Sequence, residues 1–123
     1  MIVLLTDEAL STLNFFRKLN LEIQGFLIGH LRGNGIIVEK AVSIGSNLPT
    51  PEQILKANKL LENKLIGFFN FNSKENSLVK FLNPVYAGNI ILKTGKNNKE
   101  LQAFLIDFQK NKMVFSPLKL EIL

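Results

Sequence analysis

The first apolar pattern along the chain has the period of a helix. Ala9, Leu13 and Phe16 recur three or four residues apart, which places them on one side of a helix. Thr6 precedes them as a favourable N-cap residue, because its hydroxyl can accept a hydrogen bond from a backbone N–H of the first turn. The sequence therefore predicts a helix over residues 7–19.

A second helix is predicted from its start signal. Thr50, Pro51 and Gln53 combine an N-cap threonine, a proline in the first turn and the glutamine of a capping box. Apolar residues then recur with helical spacing, while lysine and glutamate occupy the other side of the helix. We predict that this helix ends near Lys64.

The other apolar runs have the short length and turn-rich borders of β-strands. Residues 25–31 and 36–44 flank Arg32-Gly33-Asn34-Gly35, a sequence typical of a turn, and predict a β-hairpin. Residues 65–72 form a third strand, almost continuously apolar at its start. The remaining pattern predicts one helical turn over 77–82 and strands over 89–94, 101–109 and 113–116, with an extension over 118–123.

The order of these elements predicts the fold class. A helix, a hairpin, a second helix and a strand precede a loop and the last strands, which is the order of an α+β domain. We expect a mixed, largely antiparallel sheet packed against two main helices. Pro117 favours an edge strand or a bend, because proline has no N–H for a sheet ladder. No internal repeat or long linker divides the chain, so we expect a single domain over 1–123.

The composition narrows the classes of function. The chain has no cysteine, which excludes disulfides, thiolate zinc sites and cysteine nucleophiles. His30 is its single histidine, so a site built from two imidazoles is excluded as well. No apolar run reaches the ~18–20 residues of a membrane-spanning helix, and Asp7 and Glu8 make the start of the chain unlike a signal peptide. We therefore expect a cytoplasmic protein that does not contact a membrane.

The net charge of +5 is unevenly spread along the chain. Basic and acidic residues balance up to Thr50, and the whole excess lies from Pro51 onward. It consists of scattered lysines, whereas arginine, the usual bidentate partner of phosphate, occurs only at Arg17 and Arg32. We interpret the excess as a solvated surface and keep nucleic-acid binding as an alternative function.

Two motifs give the sequence a resemblance to a known family. Glu22-Ile23-Gln24-Gly25-Phe26-Leu27-Ile28-Gly29 is followed by Ile66-Gly67-Phe68-Phe69, in an order of elements that resembles the JAB1/MPN/Mov34 (JAMM) metalloprotease family. The resemblance extends over nearly the whole chain and implies an MPN/JAMM-like, cytidine-deaminase-like architecture. In active members, as the resemblance implies, two histidines and an aspartate bind zinc, and the glutamate activates the metal-bound water.

The residues at the family's site positions depart from this pattern, and Glu22 alone is retained. Asn70 and Asn72 stand where the histidines belong, and an amide oxygen is a poor zinc ligand. At the usual spacing the aspartate motif falls on residues 81–84 without a match, and a shorter spacing places Lys80 at the metal-binding position. Because they are two residues apart on a strand, Asn70 and Asn72 are expected on the same face. The resemblance thus implies a degenerate site without metal, cofactor or catalysis.

The preferred hypothesis is a catalytically inactive MPN/JAMM-like domain that acts as a protein-interaction or scaffold module, as a homodimer or with another protein. Phe68, Phe69, Phe71 and Phe81 are the first candidates for its interface, although core packing is the simpler explanation for most of them.

Two alternatives belong to other classes of function. One is a hydrolase with a non-standard site, which would draw on Glu22, Ser73, Ser77, Lys80 and His30. A lone histidine such as His30 is, however, better interpreted as a surface residue or one with a satisfied partner. The other alternative is a nucleic-acid binder that uses the basic second half of the chain, for which we expect salt-dependent binding.

Overall fold

A computed structural model describes residues 1–19, 21–45, 50–62, 64–73, 77–95 and 100–123. Its helices are α1 (Asp7–Lys18) and α2 (Pro51–Leu60), and two short 3₁₀ helices cover Ser77–Phe81 and Pro84–Tyr86. The strands are β1 (Ile2–Leu5), β2 (Ile23–Arg32), β3 (Gly35–Gly45), β4 (Leu65–Ser73), β5 (Ile90–Gly95), β6 (Gln102–Gln109) and β7 (Lys112–Ile122).

The strands close into a barrel in the order β1-β3-β2-β4-β5-β6-β7, in which β7 pairs again with β1. β1 runs parallel to both of its neighbours, and Val3 lies opposite Ile36 on one side and Leu120 on the other. The expected α+β fold, with a largely antiparallel MPN/JAMM-like or cytidine-deaminase-like sheet, is therefore wrong. The sequence pattern missed β1, because its four apolar residues show no alternation with polar ones.

The predicted helix starts are confirmed. The Thr6 hydroxyl accepts a hydrogen bond from the Ala9 N–H at 3.2 Å. At α2 the capping box is complete, with the Gln53 N–H donating to the Thr50 hydroxyl at 3.2 Å and the Thr50 N–H to the Gln53 side chain at 2.9 Å. α2 ends at Leu60, before the predicted Lys64. No helix in the described ranges has the length and hydropathy to cross a membrane.

The predicted hairpin and C-terminal strands are also present, but β7 is not an edge strand, because β6 pairs with one side of it and β1 with the other. β7 continues through Pro117, which is paired with Phe104 of β6. β1 joins the other side of β7 only from Lys119 onward. Pro117 is tolerated because it lies in the part of β7 that has a single neighbouring strand.

Apolar side chains form two cores, one inside the barrel and one outside it. Inside, Leu27 and Phe69 pack with other inward-facing strand residues and with Ala9 and Leu13 of α1. Outside, side chains of β2, β4, β5 and β6 pack with those of α2 and the 3₁₀ helices; they include Phe26, Phe68, Ile91, Ile106, Ile54, Phe81 and Tyr86. Burial raises the pKa of the Tyr86 hydroxyl, which therefore keeps its proton over the usual pH range.

The four phenylalanines first considered for an interface belong to these two cores. Phe68, Phe69 and Phe71 are 0% exposed and Phe81 is 1% exposed. Successive side chains of β4 point to opposite sides of the barrel wall, so Phe68 joins the outer core and Phe69 the inner one. Core packing, the simpler explanation given above, is thus correct for all four, and they are no longer candidates for an interface.

The two ends of the barrel differ. β1 ends at Leu5, α1 follows, and β2 begins at Ile23, opposite Phe71 near the end of β4. We call this the α1 end. The opposite end, called the turn end, carries the hairpin turn at Gly33 and Asn34.

Because β1 closes the barrel, truncating its inward side chains should lower stability. We expect Leu5→Ala to reduce the free energy of unfolding by about 3 kcal/mol, since Leu5 is 1% exposed and its removal leaves a cavity. Leu60→Ala is the control, because Leu60 is 83% exposed and should change stability by less than about 0.5 kcal/mol. Urea denaturation followed by circular dichroism measures both, and equal effects would contradict the role of β1.

Candidate functional site

A row of polar side chains crosses the outside of the barrel near the α1 end. Asn70 of β4 lies opposite Gln24 of β2 and Lys93 of β5 in the strand registers. Residues opposite one another share a face of the sheet, so the three form one row beside the apolar outer core. Gln24 and Asn70 are buried, and the Lys93 Nζ lies 5.2 Å from the centre of the Phe104 ring, in cation–π contact.

Asn70 is the unusual member of this row. It is 0% exposed, and neither its Nδ2 nor its Oδ1 has a hydrogen-bond partner in the described structure. Burying an amide without partners costs about 1–3 kcal/mol. Packing and hydrogen bonding among the described residues therefore do not account for an asparagine at this position.

Asn72 has a different environment. It adopts a positive φ of 58°, at a point where the register between β4 and β5 shifts. Its Nδ2 donates to the carbonyl of Leu19 and, at 2.9 Å, to that of Leu21, so it holds the connection between α1 and β2. Its backbone N–H donates to the Thr94 hydroxyl at 3.1 Å. The prediction that Asn70 and Asn72 share a face assumed that successive side chains of β4 alternate between the two faces of the sheet. This alternation is interrupted before Asn72.

Three of the four predicted site residues reach the same end of the barrel. Glu22 is half-buried directly before β2, at the α1 end with Asn70 and Asn72. Lys80 is exposed on the first 3₁₀ helix, and no contact found in the described structure joins it to the others. Within the described ranges, no group of three or more histidine, aspartate or glutamate residues is placed to hold a metal ion.

His30 lies far from these residues. It is six residues beyond Gln24 on β2, which corresponds to roughly 20 Å along the strand. Its Nδ1 pairs with the Glu39 carboxylate on β3, and both side chains are about half-exposed. The interpretation of His30 as a surface residue with a satisfied partner is confirmed. The side chains of Ser73 and Ser77 lie outside the described residues, so the hydrolase alternative stays a prediction.

A groove at the α1 end was not found from the sequence. α1 packs mainly against β3 and β4. A groove of about 710 Å³ remains between α1 and the end of β7. Apolar side chains line much of it: Leu5, Leu10, Leu101, Leu120 and Ile122. Its polar lining consists of Asn14, Arg17, Glu100 and Glu121.

The polar groups on the two walls of the groove are held by hydrogen bonds or ion pairs. On α1 the Arg17 Nη2 donates to the Asn14 Oδ1 at 2.7 Å, which orients the guanidinium. On β7 the Lys119 Nζ lies 3.0 Å from the Glu121 carboxylate. The α1 wall could have been recognised in the sequence, because Leu10, Asn14 and Arg17 are spaced three or four residues apart and therefore lie on one side of the helix. The opposite wall comes from strands about a hundred residues away, which no local pattern indicates.

Comparison with known proteins supports the fold and does not indicate an activity. No protein family matches the sequence, and no curated protein matches it. The solution structure of protein DSY2949 from Desulfitobacterium hafniense is similar over 100% of this chain and 94% of that chain, with a TM-score of 0.63 and 18% identity. At this identity the likeness concerns the fold alone.

The two asparagines should respond to substitution with opposite signs. We expect Asn70→Leu to raise the free energy of unfolding by about 1–2 kcal/mol, because it replaces an unpartnered buried amide with an apolar side chain of similar size. Asn72→Ala should lower it by about 1–3 kcal/mol, because two carbonyl groups lose their donor. Urea denaturation of both variants tests this. A loss of stability in both would show that Asn70 has a bound partner or that leucine does not fit.

Proposed function

We propose that the protein is a non-enzymatic interaction module, which binds a protein partner or a second copy of itself in the groove between α1 and β7. The observation that carries the proposal is the apolar lining left open beside α1, where Ile122 is 64% exposed. Concave sites with an apolar lining and a few oriented polar groups are the usual form of a binding site. We propose the cytoplasm as its location, which suits a chain without cysteine.

The side chains at the α1 end support a role in binding over catalysis. The polar row contains two buried neutral amides, from Gln24 and Asn70, and amides act neither as nucleophiles nor as general bases. Lys93 is in contact with the Phe104 ring. Glu22 has an ionisable side chain, but Asn70 and Asn72 at the same end of the barrel are neutral amides.

The lysines of the second half give little support to the nucleic-acid alternative. Lys56 lies 3.4 Å from the Glu52 carboxylate, and Lys119 lies 3.0 Å from that of Glu121. Carboxylates beside these lysines would repel a phosphate backbone. The groove itself also has two acidic residues, Glu100 and Glu121, in its lining.

Photo-crosslinking tests whether the groove is a binding surface. With benzoylphenylalanine in place of Ile122, we expect a crosslinked protein adduct in cells, because this side chain borders the groove and is exposed. The same group in place of Leu60 is the matched control, since Leu60 is 83% exposed on α2, away from the groove. Gel electrophoresis and mass spectrometry distinguish a second copy from another partner. Equal crosslinking at both positions, or none at either, would contradict the proposal.

Metal analysis tests the proposed absence of a zinc centre. After incubation with zinc and dialysis, we expect well below one zinc per chain by plasma mass spectrometry, because positions 70 and 72 offer amides and not imidazoles. Any affinity tag must be removed first, since it binds zinc itself. One zinc retained per chain would show that the protein has a metal site.

A further inference from the structure

We infer that the first half of β7, residues 112–116, pairs with the same residues of a second copy of the chain in antiparallel orientation. This half of β7 lies outside the groove, so the inference goes beyond the proposed function. It is drawn from the backbone groups that the β6–β7 hairpin leaves open along one of its two edges.

β7 has a neighbouring strand on each side along only part of its length. Residues 112–118 pair with β6, whereas β1 joins the other side from Lys119 onward. In the described part of the chain, no strand pairs with that other side of residues 112–118. This stretch is therefore an open strand edge, to which a further strand can add.

The hydrogen bonds of Ile106 show which groups of β7 point to the open side. The Ile106 N–H donates to the Asn89 carbonyl, and the Ile106 carbonyl accepts from the Gly88 N–H, both at 2.9 Å. Neither group therefore bonds across the hairpin to Phe115, which lies opposite Ile106. In such a pair the groups of both residues point away from one another, so the N–H and carbonyl of Phe115 face the open side.

Met113 and Pro117 have the same orientation as Phe115, because they lie two residues to either side of it on the strand. The open edge thus presents the N–H groups of Met113 and Phe115, and Pro117 presents a carbonyl alone. Proline and charged residues commonly protect an open edge. Here Lys112 and Pro117 stand at the two ends of the stretch, and the residues between them are uncharged.

The β6 edge of the same hairpin is satisfied within the chain. Ile106 is bonded to Gly88 and Asn89, and the Phe108 N–H donates to the Asp107 carboxylate at 2.9 Å. Among the described residues, the outward N–H groups of β7 have no corresponding backbone partner. The two edges therefore differ, and the β7 edge is the one that can accept a strand.

A second copy of β7 satisfies these groups in one register. Antiparallel pairing centred on Val114 places Met113 opposite Phe115 of the second copy, and Phe115 opposite Met113 of the second copy. Each outward N–H then meets an outward carbonyl. A register that places Met113 opposite Pro117 of the second copy loses a donor, because proline has no N–H.

The side chains that meet in this register also match, which favours a second copy over an unrelated strand. Met113 and Phe115 lie half-buried on the outer face, so each methionine–phenylalanine pair adds apolar contact. Lys112 falls opposite Ser116 of the second copy, so like charges do not face one another. Phe108, which is 57% exposed opposite Met113 on β6, extends the apolar surface.

Disulfide trapping tests the register, because the chain has no cysteine of its own. In Val114→Cys the two thiols lie opposite one another, at the ~4.5 Å Cα separation of a non-hydrogen-bonded pair, which a disulfide can span. We expect mild oxidation to give a covalent dimer on non-reducing gels. Ser116→Cys is the matched control on the same face: its two copies lie roughly 14 Å apart in this register and should give about tenfold less dimer.

Analytical ultracentrifugation with charge-swapped variants tests the pairing without a crosslink. The wild-type protein should form a weak dimer whose fraction rises with concentration. Val114→Lys and Val114→Glu should each weaken this dimer about tenfold, because two like charges then face one another. An equimolar mixture of the two variants should associate more tightly than either alone, since opposite charges then meet. Circular dichroism confirms that both variants are folded.

The outcomes separate this inference from the proposed function. A wild-type protein that stays monomeric, a Val114→Cys dimer no more abundant than that of Ser116→Cys, or a mixture that associates no better than its components would each overturn the inference. If crosslinking at position 122 then still captures a partner, the proposed function stands without it. If β7 pairs as inferred and that crosslinking fails, the inference stands and the proposed function is wrong.

Discussion

The parallel insertion of β1 between β3 and β7 is the constraint on which the rest of the structure depends. Val3 and Leu5 enter the barrel interior, while the backbone of β1 pairs with strands on both sides. The same four residues therefore close the sheet and leave neither β3 nor β7 with an open edge along this stretch. Closure also sets the place of α1, because the chain passes from Leu5 through Thr6 directly into the helix.

The groove follows from the way α1 is attached. The Thr6 N–H donates to the Val38 carbonyl at 3.2 Å, and its hydroxyl donates to the Glu39 carbonyl at 3.1 Å. These bonds tie the start of α1 to β3, so the helix packs toward β3 and β4. The side of α1 that carries Leu10 and Arg17 is then left facing β7 across open space. The attachment of α1 to β3 thus leaves the groove beside β7 accessible.

Local signals in the sequence were sufficient to predict the helices and the hairpin, but they were insufficient to predict the barrel. Thr6, Thr50 and Gln53 specify helix starts through bonds within a few residues, and a pattern shows them directly. β1 depends instead on pairing with residues 35–38 and 119–122, and four apolar residues in a row do not indicate a partner. The groove was missed for the same reason, because its walls come from opposite ends of the chain. Asn70 was singled out from the sequence, but only the structure shows that its amide is buried without partners.

Asn70 and Asn72, which the family resemblance assigned to one degenerate site, have different environments in the structure. An asparagine at position 72 is explained by local physics, because asparagine tolerates a positive φ and its amide holds two carbonyl groups between α1 and β2. No lost metal ligand is needed to account for it. Asn70 has no such explanation, since it costs stability and bonds to nothing among the described residues. The polar row that contains Asn70 and the groove that Arg17 borders are therefore two separate features of the α1 end.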